Sequence, residues 1–124
     1  MYKKIMNSII FSKQGIDISV SVYTFKEGNV FIAYCPSLDL SGYDTTEEKA
    51  KEDFQYMLKE YLHHQLQNNT LQQDLKRHGW SIGIRKYKEP ELKDMLDRNR
   101  QLRNVVSLPA YSKINVNTVC PAIA

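Results

Sequence analysis

"VFIAYCPSLDLSGYDTTEEKAKEDFQYMLKEYL", residues 30–62, changes character twice, and the two changes decide the fold. "VFIAYC" (30–35) is a nearly continuous apolar run, the pattern of a central strand covered on both faces. Pro36 has no backbone N–H and ends it. "LDLSGY" (38–43) fits a short third strand around the turn-prone Ser41-Gly42. A helix then begins. Thr45 and Glu48 have the S/T-x-x-E spacing of a capping box, in which hydroxyl and carboxylate each satisfy an orphan amide. Thr46 is the competing cap, with Lys49 at the third position. Either cap places Glu47 and Glu48 in the first turn, where the helix dipole favours negative charge. We read these acids as a helix start and assign them no catalytic role. Ala50, Phe54, Met57, Leu58, Tyr61 and Leu62 recur at spacings of three and four. They form one apolar stripe, expected to lie across a sheet.

The flanks complete the pattern. "IDISVSVYTF" (16–25) alternates, with Ile16, Ile18, Val20 and Val22 on one face and Asp17, Ser19 and Ser21 on the other. Period two with β-branched residues predicts a half-buried strand. "KEGN" (26–29) reads as a tight hairpin loop, with Gly28 free to take positive φ. After the main helix, "NNT" (68–70) breaks the chain, and Thr70 with Gln73 repeats the capping-box spacing, so "LQQDLKRH" is a short second helix. Gly79 is its expected stop. "WSIGIRKYK" (80–88) alternates again and predicts a last strand, with Trp80, Ile82 and Ile84 inward. "ELKDMLDRNRQL" (91–102) predicts one amphipathic helix, and "VVSLPAY" and "INVNTVC" (114–120) look extended. The expected architecture is α+β: a small antiparallel sheet in the order β-β-β-α-α-β with one main helix across it. Pro90 sets the expected boundary between a domain at 1–90 and a C-terminal appendage at 91–124.

Totals bound the class. A chain of 124 residues fits one domain, and 42% apolar with 25% charged residues is ordinary for a globular protein. No apolar run approaches the length needed to cross a bilayer. "MYKKIMNSIIF" reads as an ordinary chain start, not a signal peptide. Cys35 and Cys120 are far apart without CxxC spacing, so neither a disulfide framework nor a zinc site is expected, and the cytoplasm is the simplest location. The net charge of +3 is unevenly spread. Residues 17–62 carry nine acids against four bases, and residues 63–124 carry ten bases against five acids. Two different surfaces follow, one suited to a basic partner, the other to nucleic acid or to a second copy, unless both are merely solvated.

The order of elements resembles the HicB-like antitoxin fold, which is related to part of the RNase H arrangement. The match rests on residues 30–62, where Pro36, Leu38, Gly42, Thr46, Glu48 and Ala50 fit the slots of an apolar strand, a proline, a glycine turn and a threonine-capped helix. "LKRHGW" followed by an alternating strand extends it, so that it covers roughly 15–88. The resemblance implies a protein-binding module that neutralises a small RNA-cleaving toxin of the HicA type and forms oligomers. It implies neither catalysis nor a cofactor. Many such proteins also carry a C-terminal DNA-binding segment. Here "YSKINVNTVCPAIA" starts like a strand but Pro121 leaves no following helix, so operator binding is not expected, and an orphan oligomer without a toxin stays open. We expect residues 91–124 to serve self-association.

Two-metal nuclease cleavage needs several carboxylates converging from strands. Asp17 is the one strand candidate, while Asp39 and Asp44 fall in turns. His63 and His64 point a quarter-turn apart with no third ligand spaced to join them, and suit a helix C-terminus. His78 has no carboxylate or cysteine partner nearby in sequence. Nucleic-acid binding is the alternative function. Lys76, Arg77, Arg85, Lys86 and Lys88 cluster around the second helix and the last strand, with Trp80 and Tyr87 interleaved. Basic and aromatic residues on one face are what single strands need for phosphate contact and stacking. The competing reading makes Trp80 core and the lysines rim. Arg98, Arg100 and Arg103 stand too close together for one helix face to use all three.

Overall fold

The computed structural model describes residues 15–121 apart from Arg85, so the N-terminal stretch and Arg85 itself lie outside the described residues. The chain runs β1 (Gly15–Glu27), β2 (Val30–Cys35), β3 (Leu40–Asp44), α1 (Glu47–Gln67), α2 (Leu71–Arg77), β4 (Ser81–Ile82), β5 (Lys86–Lys88), α3 (Leu92–Arg98), α4 (Arg100–Val106) and β6 (Ser112–Pro121). The α+β class holds, with one main helix against a six-stranded sheet.

The sheet is organised by β1. A two-residue turn with Gly28 at φ +63° folds β2 back onto it, pairing Tyr23 with Tyr34 through Glu27 with Val30. Pro36 then ends that ladder. The rest of the same β1 edge is taken by β5, which pairs parallel, Asp17 with Lys86 and Ser19 with Lys88. The opposite edge of β1 is covered by β6, antiparallel, from Ile18 with Thr118 to Thr24 with Ser112. Asp17–Ser19 thus pair with β5 and β6 at once, and Tyr23–Thr24 with β2 and β6. The sheet is mixed rather than wholly antiparallel, because β5 returns to β1 only after the α1–α2 crossover.

One face carries the aliphatic core. Ile18, Val20 and Val22 of β1 and Ala33 and Cys35 of β2 meet Ala50, Phe54, Leu58 and Leu62 of α1 and Leu71 and Leu75 of α2. The buried stripe keeps strict four-residue spacing, and Met57 drops out of it at 38% exposure. α1 crosses β3 at Gly42, where a Cβ would stand 2.3 Å from the Phe54 amide nitrogen, so no other residue fits without parting helix and strand. Thr46, not Thr45, caps α1: its hydroxyl accepts from the Lys49 amide at 3.2 Å. Thr45 is held by the Asp44 carboxylate instead, and Glu48 faces Lys51 rather than reaching back.

The other face is closed by chain expected as an appendage. Met95 of α3 and Leu102 and Val105 of α4 pack on Tyr23, Phe25 and Tyr34. The single helix expected over 91–102 is two, because Asn99 is extended (φ −125°, ψ 100°) and caps α4 by accepting from the Leu102 amide at 2.9 Å. Val105 and Val106 continue α4 and are not extended. The last strand also divides. The Gly83 amide donates to the Lys86 carbonyl at 3.0 Å, closing a tight hairpin between β4 and β5. The turn breaks the period, so Ile84, expected inward, is 96% exposed, while Tyr87 is buried. Among the described residues no helix is long and apolar enough to cross a membrane.

Candidate functional site

The residues singled out for nucleic acid divide between two places. Lys86 and Lys88 flank Tyr87 on β5 and are exposed. Their aromatic companions are not: Trp80 is buried and its Nε1 donates to the Ser37 carbonyl at 2.8 Å, and the buried Tyr87 accepts at its hydroxyl from Gln72 Nε2 at 2.8 Å. The face around 76–88 therefore offers cations without stacking rings. Lys76 and Arg77 are exposed at the end of α2.

Arg77 belongs to a different assembly. The Asp74 carboxylate, buried beneath α2, accepts from the Tyr61 hydroxyl and from Arg77 Nη2. Burial works to raise its pKa, but the bonds from Tyr61 and Arg77 and the nearby His78 prevail and hold it below the ordinary carboxylate value. The same arrangement, burial first and then the bond to Asp74, pushes the Tyr61 phenol up. His78 Nδ1 lies 2.8 Å from the Asp74 carbonyl; a carbonyl only accepts, so Nδ1 carries the proton. Arg98, the last residue of α3, donates through Nη2 to the His78 carbonyl at 3.0 Å, joining α3 to the end of α2. Arg103 turns back on α3 and donates to the carbonyls of Leu96 at 2.6 Å and Asp97 at 3.2 Å.

The break at Asn99 thus separates the three arginines that one helix could not use together. Arg103 becomes a helix cap. Arg98 and Arg100 join Arg77 and His78 around a solvent-facing cleft of about 420 Å³, with Tyr34, Pro36 and Met95 among its walls. Asn99 is fully engaged there, since its Nδ2 also donates to the Tyr34 hydroxyl at 2.9 Å. Asp39 is the one carboxylate in the lining, 3.3 Å from the same hydroxyl. Sequence spacing shows these arginines but not their meeting. The available signal was Asn99 itself, a good N-cap residue inside the helical run.

A second surface lies on β3 and α1. Tyr43 and Tyr56 are 67% and 60% exposed. On α1, Glu48, Glu52 and Glu60 are exposed within one or two turns of Tyr56, against Lys49 and Lys59. Asp53 accepts from the Tyr43 amide at 2.9 Å, which satisfies an outward donor of the β3 edge.

Elsewhere the candidates are structural. Cys35 is buried among apolar side chains, and burial pushes its thiol up to about 12, so it is not a nucleophile at neutral pH. Asp17 is exposed on β1, and Asp44 bonds Thr45. His64 faces Asn68 one turn on. Among the described residues no three His, Cys, Asp or Glu side chains are grouped to hold a metal. The Cys120 side chain lies outside the described set. Compared with protein-family models, curated proteins and solved structures, the chain matches none.

Proposed function

We propose that this chain is a HicB-like binding protein of the cytoplasm, self-associating and acting by contact rather than catalysis, that neutralises a small basic RNA-cleaving toxin of the HicA type. One observation supports this above the others: the tyrosines exposed on β3 and α1 stand among exposed acids. Tyrosine is enriched where proteins meet, and opposite charge steers a basic partner onto such a surface. The order β-β-β-α-α-β through β4 is the order on which the resemblance rests, with β5 added after it. The nucleic-acid alternative is weaker because Trp80 and Tyr87 are committed to the core.

The test is capture of partners by the tagged full chain from its native cells after nuclease treatment, with bound proteins identified by mass. A small basic protein of HicA type is expected, and the double variant Tyr43→Ala/Tyr56→Ala should release it. Recovery of the protein alone, or capture undisturbed by that variant, defeats the reading. Binding to nucleic acid that falls steeply with salt would turn attention to Lys76, Lys86 and Lys88 instead.

A further inference from the structure

The cleft between α2 and the α3–α4 junction is independent of the proposed toxin surface. Three arginines line it from three elements: Arg77 ends α2, Arg98 ends α3 and Arg100 begins α4. Two of them are already held in place. Arg77 is tied to buried Asp74 yet keeps its side chain 72% exposed, and Arg98 is tied to the His78 carbonyl through one nitrogen. A guanidinium has several donors in a planar fork, so each keeps donors for a ligand while its own geometry is fixed. Among the described residues Arg100 has no ion-pair partner. With Arg77 paired to Asp74, Arg98 and Arg100 against one lining carboxylate, Asp39, still leave the cleft cationic.

Size and lining narrow the ligand. The volume, about 420 Å³, lies within the roughly 300–1,000 Å³ of small-molecule sites, and a bare phosphate would leave most of it empty. Pro36 and Met95 supply apolar wall beside the cations, a surface for a ring or sugar. A phosphomonoester carries a charge of about −1.5 to −2 and three acceptor oxygens, which suits several guanidinium forks. We propose that this cleft binds a nucleoside monophosphate, with the phosphate held by Arg77, Arg98 and Arg100 and the nucleoside against Pro36 and Met95.

Calorimetric titration of the full chain tests this, using the four ribonucleoside 5′-monophosphates, adenosine, inorganic phosphate and an oligonucleotide without terminal phosphate. At least one monophosphate should bind, tighter than inorganic phosphate, while adenosine should not bind. Arg100→Gln should weaken binding by about tenfold or more without moving the melting temperature, and Arg100→Lys should restore part of it. Lys113→Gln removes the same charge on β6, away from the cleft, and should leave binding unchanged. Three results would each overturn the assignment. These are no monophosphate binding up to ~1 mM, equal losses from Arg100→Gln and Lys113→Gln, or binding of the oligonucleotide alone.

Discussion

The two faces of the sheet are closed by different chemistry. On one, a 21-residue helix lays a stripe of Ala50, Phe54, Leu58 and Leu62 over β-branched side chains. On the other, two seven-residue helices cover aromatic rings, and hydroxyls are buried with them. There the Ser21 amide and hydroxyl both donate to the Glu89 carboxylate, at 3.2 and 2.5 Å, in the gap between β5 and β2. Tyr34 is fixed by Asn99, and the Tyr23 hydroxyl has no partner among the described residues. The first face depends on volume and shape. The second depends on polar pairing as well, and its helices meet the end of α2 at the arginine cleft.

The largest effect that could separate the faces is a cavity in each. Phe54→Ala should cost about 3–5 kcal/mol in urea unfolding. Leu102→Ala should cost nearer 2–3 kcal/mol, at the lower end for such changes, since short helices can close on the gap. Equal losses would mean that α3 and α4 are held as firmly as α1. Asn99→Ala comes next, at about 1–2 kcal/mol, because it removes the α4 cap and leaves the buried Tyr34 hydroxyl without its donor. The same variant should loosen the cleft, so weaker monophosphate binding should accompany the lost stability. Tyr23→Phe is the smallest. Burial, then the charge of Glu89, raises the phenol's pKa, and removing an unpaired buried hydroxyl should change stability by less than ~1 kcal/mol, in the favourable direction. A clear destabilisation would show that the hydroxyl has a partner in solution.

Deleting residues after Pro90 is not a clean test of self-association. It strips β6 from β1 and exposes Tyr23, Phe25 and Tyr34. Loss of an oligomer on truncation could then be loss of the fold. The outer edge of β6, unpaired within the described chain, is better probed by single lysine substitutions at Asn115 or Asn117, both exposed.

Local rules read correctly where a single element contains its own reason. The alternation of Ile18, Val20 and Val22, the stop at Pro36, the turn at Gly28 and the threonine cap of α1 are short-range and appear in order along the chain. Rules of the same kind misled at Gly83 and Asn99. At each, a continuing period hid a residue suited to breaking it, so one strand became a hairpin and one helix became two. The arginines were visible as types but not as a group, since their meeting depends on that break and on which face α3 and α4 cover.

Periodicity and composition, legible within a few residues, carry the α+β class, the β-β-β-α order, the aliphatic side of β1 and the charge contrast between the halves. The polar side of β1, expected to face solvent, is buried as well at Ser21, Tyr23 and Phe25. Tertiary structure alone decided that β2 and β5 share one edge of β1 while β6 takes the other, that chain beyond Pro90 closes the second face, and that Arg77, Arg98 and Arg100 surround one cleft. The β5 and β6 pairings with β1, and the meeting of Arg77 with Arg98, join residues more than twenty positions apart in sequence, and such pairings follow from which surfaces remain uncovered once the local elements exist.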